Sequence, residues 1–403
     1  MNLIQPAPTH RGLFLLVCRV LPRLGLGLFC LALTPQVPAS QNIADHSAVR
    51  PPVASVFYPN PKVECAVSAF IRGGKAAVFE DRFTGPGFLK IGVQYPPKRL
   101  SPIPGGKVWR FGFSAAVSPD GKLLATTFSR ANNGGRGLCL WSLTTSRPLL
   151  VERDAEPWTH FDWGSPIAFS MANRYVAYLN ENCDIVVRNV NTGSRLSSLV
   201  FPKGIGSGYS PSRRIAFAGD AMMIGVTQFH ITCWDIATEK VVWVRSPPAG
   251  LSGFSGSRVA VIRNGKELAV AAYPSGRPAL MRKWAPDIAL YDVKTGQVLG
   301  SISVPAVVAR GARRKMDLSL LVDLVATRDG RYLIAAENGE GPFPHGVAEI
   351  GRLVVANIAD HRIVYTSRLC QGGLWSVAVS PNGRFVLASE PTRFLLFRVP
   401  RQP

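Results

Sequence analysis

The sequence predicts an all-β fold, a single seven-bladed β-propeller of four-stranded antiparallel blades, from three observations. A tight polar turn followed by an apolar strand recurs seven times, at intervals of about 50 residues. A second apolar strand, which ends in a polar turn, follows most copies of the first. Because one such unit alone leaves an apolar face exposed, the units are expected to stack around a common axis.

The unit is clearest near the end of the chain. Three short strands are predicted there, at Trp375–Val379, Arg384–Ala388 and Phe394–Val399, and the turn Ser380-Pro381-Asn382-Gly383 joins the first two. Pro presets the backbone for a turn, and Asn and Gly accept the angles that branched residues resist. The pattern therefore predicts a hairpin followed by a third strand.

The same landmarks recur along the chain. The turn is centred on Gly74, Gly121, Asn173, Ala221, Gly265, Gly330 and Gly383. The strand after it ends most clearly at Trp141-Ser142, Trp234-Asp235 and Tyr291-Asp292. A fourth strand is predicted at Pro148–Val151, Arg195–Val200, Val241–Val244, Gln297–Ile302 and Arg362–Thr366.

The last unit lacks a fourth strand in this reading, since Pro403 follows soon after the third. The segment Val53–Tyr58 is strand-like and precedes the first unit. We expect it to supply the missing strand and to cover an open sheet edge. The alternative is an irregular linker, because Arg50-Pro51-Pro52 comes directly before it.

The N-terminal segment is predicted to be a signal peptide of residues 1–39. Arg11, Arg19 and Arg23 precede the apolar run Leu24–Leu33, and Ala39 ends a small-residue cleavage site. The run is shorter than the roughly 20 residues of a membrane span. We therefore expect export (periplasmic, cell-surface or secreted) with no membrane span after cleavage, an irregular linker at 40–52 and the propeller at 53–403.

The turn Ser118-Pro119-Asp120-Gly121-Lys122 and the strand ends Trp234-Asp235-Ile236 and Tyr291-Asp292-Val293 resemble the WD-repeat family. They are also similar to bacterial surface propellers with Tyr-Val-Thr-Asn-type repeats. The resemblance covers roughly residues 53–399. It implies an exported bacterial propeller that serves as a rigid platform for binding other molecules, usually without catalysis.

The chain carries no pattern typical of an active site, a metal site or a cofactor site. Its six His are scattered, and its Cys lack the C-x-x-C spacing of zinc sites. Cys139 and Cys233 lie in apolar runs and are predicted to be buried thiols. The other Cys allow one or two disulfides in an exported protein. Gly253-Phe254-Ser255-Gly256 lacks the strand-to-helix elbow of a serine nucleophile and is predicted to be a loop between blades.

A candidate binding surface comes from the long loops, which fall on one face of the predicted propeller. These loops are Pro104–Arg110, Arg153–Gly164, Pro274–Pro286, Ala309–Lys315 and Asn338–Glu349. Aromatic and basic residues on loops held by a rigid scaffold are typical of binding sites. The predicted residues are Trp109, Arg110, Trp158, His160, Trp163, Arg282, Lys283, Trp284, Arg310, Arg313, Arg314, Lys315 and His345. Trp141, Trp234, Trp243 and Trp375 are predicted to belong to the core.

The net charge of +21 predicts attraction to acidic partners. The first hypothesis is a non-catalytic exported scaffold that binds a protein or an acidic glycan. The alternative is a polysaccharide hydrolase or lyase, which needs two carboxylates roughly 5–10 Å apart in the central channel. Export argues against a nucleic acid partner, and the sequence does not indicate an oligomeric state.

Overall fold

The computed structural model describes residues 54–57, 65–71, 76–81, 85–90, 98–101, 109–130, 136–154, 166–180, 182–203, 214–248, 251–254, 259–274, 287–304, 317–343, 346–367, 369–390 and 393–399. Within these ranges the chain forms strands and turns, arranged in seven antiparallel sheets. The architecture is a β-propeller of four-stranded blades, as the repeat predicted.

The strands follow chain order within the sheets. An N-terminal strand, β1 (Ala54–Phe57), precedes sheet 1. Sheet 1 contains β2 (Cys65–Ile71), β3 (Ala76–Asp81), β4 (Gly85–Lys90) and β5 (Lys98–Arg99). Sheet 2 contains β6 (Trp109–Val117), β7 (Leu123–Arg130), β8 (Arg136–Ser142) and β9 (Arg147–Asp154). Sheet 3 contains β10 (Ile167–Phe169), β11 (Tyr175–Leu179), β12 (Ile185–Asn189) and β13 (Arg195–Leu199).

The remaining sheets keep this plan with small additions. Sheet 4 contains β14 (Arg214–Ala218), β15 (Met222–Val226), β16 (Ile231–Asp235) and β17 (Val241–Arg245). Sheet 5 contains β18 (Leu251–Phe254), β19 (Ala260–Ile262), β20 (Glu267–Pro274), β21 (Asp287–Asp292) and β22 (Val298–Ser303). Sheet 6 contains β23 (Asp317–Ala326), β24 (Tyr332–Phe343), β25 (Gly346–Asn357), β26 (Arg362–Thr366) and β27 (Cys370–Gln371). Sheet 7 contains β28 (Ser376–Val379), β29 (Phe385–Ser389), β30 (Arg393–Arg398) and β1.

The hydrophobic core lies between the sheets. Each apolar cluster joins two neighbours in chain order, for example Trp234 of sheet 4 with Leu199 of sheet 3. A further cluster joins sheet 7 to sheet 1 through Phe394 and Phe79, whose ring centroids lie 5.9 Å apart. Both faces of a sheet are therefore covered by its neighbours, and the strands carry apolar side chains on both sides.

The predicted N-terminal closing strand is confirmed. β1 pairs antiparallel with β30, with Ala54 opposite Leu396 and Phe57 opposite Arg393. Sheet 7 thus takes three strands from one end of the repeat array and its fourth from the other. This pairing covers the edge of β30 that would otherwise present unpaired backbone groups.

Most core predictions hold, and two need correction. Trp141, Trp234 and Trp243 are buried, as are Cys139 and Cys233, whose thiols are free. Trp375 is only half-buried and directly precedes β28, with its amide donating to the Ser389 carbonyl of β29. Phe254 was placed in a loop, but it ends β18 and is buried against Tyr291.

Candidate binding surfaces

The described residues bear two distinct faces. The turns after the first and third strands of a sheet lie at one end of it, because the strands are antiparallel. We call this end the turn face. The connections after the second strands and between sheets lie at the opposite end, which we call the loop face.

Most of the residues predicted to bind a ligand lie outside the described residues of the loop face. Trp109 and Arg110 are described, but they begin strand β6, with backbones opposite Arg130 and Ser129, and are not part of a loop. The others stay predictions, namely Trp158, His160, Trp163, Arg282, Lys283, Trp284, Arg310, Arg313, Arg314, Lys315 and His345. Of the predicted set, the structure thus places Trp109 and Arg110, at the start of β6.

One predicted loop is a hairpin. Asn338–Glu349 lies almost wholly in β24 and β25, which pair without interruption from Tyr332 opposite Asn357 to Phe343 opposite Gly346. This strand pair is long because the backbone hydrogen bonds between β24 and β25 continue without a break along both strands. This hairpin extends sheet 6 on the loop face.

The root of the hairpin holds a buried ion pair. Arg352 Nε donates to Glu337 Oε2 at 2.5 Å, and both side chains are buried. The second oxygen, Glu337 Oε1, is buried without a hydrogen-bond partner. Burial raises the pKa of Glu337 to about 7, against the opposing effect of Arg352. Because both charges are removed from water, the pair adds little net stability, while loss of one partner would leave the other charge buried and unpaired.

A second set of buried polar contacts ties sheet 6 to sheet 7 at the same level. Asn338 Oδ1 accepts a hydrogen bond from the Leu374 amide at 2.6 Å. Gly351 lies beneath this contact, and a Cβ there would be 2.7 Å from both Asn338 Oδ1 and the Leu374 nitrogen. The segment that connects the two sheets is thus fixed by side-chain contacts as well as by backbone pairing.

A cysteine beside these contacts is unsuited to nucleophilic chemistry. Burial, together with the nearby Glu390 carboxylate, raises the pKa of Cys370 to about 12. Arg393 donates to Glu390 from two nitrogens and holds that carboxylate in place. Because the thiolate is the reactive form, Cys370 is expected to stay an inert thiol.

The hydrolase alternative requires carboxylates that converge on the central channel. Among the described inner strands, Asp317 and Asp323 of β23 are the acidic residues. Asp323 is buried, and its Oδ2 accepts the Val377 amide of β28 at 2.8 Å. This carboxylate therefore joins two sheets rather than facing a substrate.

The turn face is built from a repeated hydrogen-bonded turn. Ser118 Oγ donates to Asp120 Oδ1 at 2.6 Å and accepts the Leu123 amide at 2.9 Å, while Gly121 takes a φ of 72°. Thr327 and Ser380 begin turns with the same bonds. Each turn is therefore held by its own side chains and needs little rearrangement on binding.

Neighbouring turns also contact each other from sheet to sheet. The Asp120 amide donates to Asn173 Oδ1 at 3.3 Å, and the Ala172 amide donates to Asp220 Oδ1 at 3.0 Å. Farther out, Arg245 donates to the carbonyl oxygens of Gly296 and Thr295 at 3.0 and 2.8 Å. These contacts join the turn face from sheet 2 to sheet 5.

This surface is strongly basic. Twelve exposed basic residues lie in or beside the described turns, against four exposed acidic ones. The basic residues are Lys122, Arg147, Arg174, Arg195, Lys240, Arg263, Lys266, Lys294, Arg328, Arg331, Arg362 and Arg384. The exposed acidic residues are Asp120, Glu239, Asp329 and Asp360, and four half-buried ones, Asp220, Asp235, Glu267 and Asp292, lie in or beside the same turns. Such an excess of one sign attracts acidic partners.

Sequence reasoning missed this surface although the repeat contains its signal. A basic residue follows the turn centre directly in Lys122, Arg174, Lys266, Arg331 and Arg384. Within a single repeat, one cation beside a turn does not indicate a binding site. Once the strands are placed, the recurrence puts these cations on one face.

The described residues contain neither a metal cluster nor a membrane-spanning helix. Within the described ranges, no group of three or more His, Cys, Asp or Glu side chains is placed to hold a metal ion. The same residues contain no helix long and apolar enough to cross a membrane.

Comparison with known proteins supports the fold alone. No protein-family profile matches the chain, and no curated protein matches it. Among solved structures, 1310 chains match. One of them, a chain of the crystal structure of the mitotic checkpoint complex, aligns with a TM-score of 0.55 and 12% identity. The alignment covers 93% of this chain and 100% of that chain.

Proposed function

We propose that this protein is a non-catalytic, exported binding scaffold for a protein or an acidic ligand, on a WD-repeat-like propeller of seven blades. The seven sheets and the cluster that joins the last sheet to the first support this blade count. The likeness to a chain of a protein complex agrees with a protein partner. Export rests on the basic and apolar pattern before Ala39.

One observation carries the proposal, the excess of cations on a turn face whose turns are fixed by hydrogen bonds. A surface that is ordered before binding loses little conformational entropy when a partner arrives. Charges of one sign on such a surface raise the rate of encounter with an acidic partner. The turn face therefore supplies rigidity and electrostatic attraction without catalytic groups.

The test compares two charge reversals that change the net charge equally. The turn-face variant changes Lys122, Lys266, Arg328 and Arg384 to Glu. The loop-face variant changes Arg310, Arg313, Arg314 and Lys315 to Glu. Retention of each on immobilised poly-glutamate is measured over a salt gradient, with folding checked by circular dichroism.

We expect the turn-face variant to elute at clearly lower salt than the native protein, and the loop-face variant to elute close to it. The opposite order would move the binding surface to the loops that the sequence first suggested. If both variants eluted at equally lowered salt, retention would depend on net charge alone, and the proposed surface would be wrong.

A further inference from the structure

The outer strands of five neighbouring sheets share an irregularity at the same place. In sheets 2 to 6 the pairing of the third and fourth strands shifts by one residue near the start of the fourth. The shift leaves one extra residue on the outer strand, a β-bulge. The extra residues are Leu149, Leu196, Val242, Leu299 and Val364.

Every one of these residues is aliphatic, and most are exposed. Leu149 is 63% exposed, Leu196 48%, Val242 46% and Leu299 45%. With Val241 and Val298, the bulges account for six of the nine large exposed hydrophobic side chains among the described residues. We call the bulge residues of sheets 2 to 6 the rim.

Edge protection explains the bulges but not their side chains. A bulge on an edge strand prevents pairing with other chains, and charged residues usually assist it. Aliphatic residues at an exposed edge work against that purpose and cost hydration free energy. Their repetition at one register in five sheets makes them a regular feature of the outer strands rather than scattered single residues.

Cations accompany the rim. Arg147, Arg195, Lys240 and Arg362 lie one or two residues before the bulge in four of the five sheets, and Gln297 takes the place in sheet 5. All are exposed and lie at the start of an outer strand, directly after a turn of the turn face. The rim thus borders the basic surface, and aliphatic side chains alternate with positive charge along it.

We propose that the turn face and its rim dock on an anionic lipid bilayer, a proposal that rests on the basic surface described above. Surface-bound membrane proteins combine basic side chains, which attract anionic headgroups, with apolar side chains that enter the headgroup boundary. Protein hot spots favour Trp, Tyr and Arg, whereas Leu and Val are under-represented in them. The rim carries Leu and Val without aromatic residues, which favours lipid over a protein partner.

The experiment measures binding of the full chain to vesicles by flotation. The rim variant changes Leu149, Leu196 and Leu299 to Ser and Val242 to Thr, so every charge is kept. The control variant changes Val200 to Thr and Phe229 to Ser, which are exposed but lie toward the loop face. Each protein is mixed with phosphatidylcholine vesicles that contain phosphatidylglycerol and with phosphatidylcholine vesicles alone.

We expect native and control proteins to float with the phosphatidylglycerol vesicles and the rim variant to bind about tenfold more weakly. The rim variant should still be retained on poly-glutamate, since its charges are intact. Equal vesicle binding by rim variant and native protein would overturn the role of the rim. Absence of native binding to anionic vesicles would overturn the bilayer proposal and leave the poly-glutamate result standing. Self-association that is lost only in the rim variant, measured by sedimentation velocity, would assign the rim to a second copy and also overturn it.

Discussion

Replacing Asp323 by Ala is expected to loosen the junction between sheets 6 and 7. Asp323 is buried on β23, and its Oδ2 accepts the Val377 amide of β28 at 2.8 Å. Its Oδ1 accepts the Leu324 amide at 2.9 Å on its own strand. The first bond crosses between sheets, so the substitution removes one polar link from an interface that also holds the contact of Asn338 with the Leu374 amide.

The size of the effect follows from burial. A hydrogen bond to a carboxylate contributes about 1.5–3 kcal/mol, and a buried N–H left without an acceptor costs about 1–3 kcal/mol. For one hydrogen bond the two figures describe the same loss, so they are not added together. Because Asp323→Ala removes both bonds, we expect the free energy of unfolding to fall by about 3–5 kcal/mol, and by roughly half of that for Asp323→Asn, which keeps one acceptor oxygen.

The assay is urea unfolding, read at equal m-values, together with hydrogen exchange of the peptide that contains Val377. Thr126→Val is the matched control, because it removes the bond from Trp141 Nε1 within sheet 2. The control should lose stability without faster exchange at Val377. The reasoning fails if Asp323→Ala stays within about 0.5 kcal/mol of the native protein and Val377 keeps its protection.

Two further predictions concern the closing strand and the buried carboxylate. Deletion of residues 40–60 removes β1, so the melting temperature should drop sharply as the β30 edge opens; an unchanged melt would contradict the role of the pairing. Burial raises the pKa of Glu337 to about 7 from the ordinary 4.5, so the folded state holds the extra proton between these values, and stability should fall as pH rises through that window. Glu337→Gln should flatten this dependence in thermal melts, and equal slopes for the two proteins would refute the assignment.

The repeat predicted much of the fold because its signals are local. The Ser118 turn depends on residues within five positions of one another, so its side-chain bonds can be read from the sequence. The pairing of β1 with β30 was also predicted, since the last unit lacked a strand and an unpaired strand preceded the first. Boundaries were less accurate at Trp375, which precedes β28 although its amide donates to the Ser389 carbonyl of β29.

The binding surfaces were harder to predict, because they depend on which residues come together. Asn338–Glu349 reads as a loop from its Gly and Pro content, yet cross-strand pairing with a partner of equal length makes it a hairpin. The cations of the turn face lie roughly 50 residues apart in sequence, and only stacking of the sheets makes them one surface. The rim could not be predicted from the sequence for the same reason, since a bulge is defined by the pairing of two strands.

The sequence by itself determined the repeated turn, the strand order within a unit and the closing role of the N-terminal strand, because these follow from local propensity and from the need to bury apolar faces. Only the tertiary structure decided that Glu337 meets Arg352 and that Asp323 links two sheets. It also decided that Leu149 and its counterparts remain exposed beside the basic turns. Such contacts arise from packing between units, which no single stretch of the chain encodes.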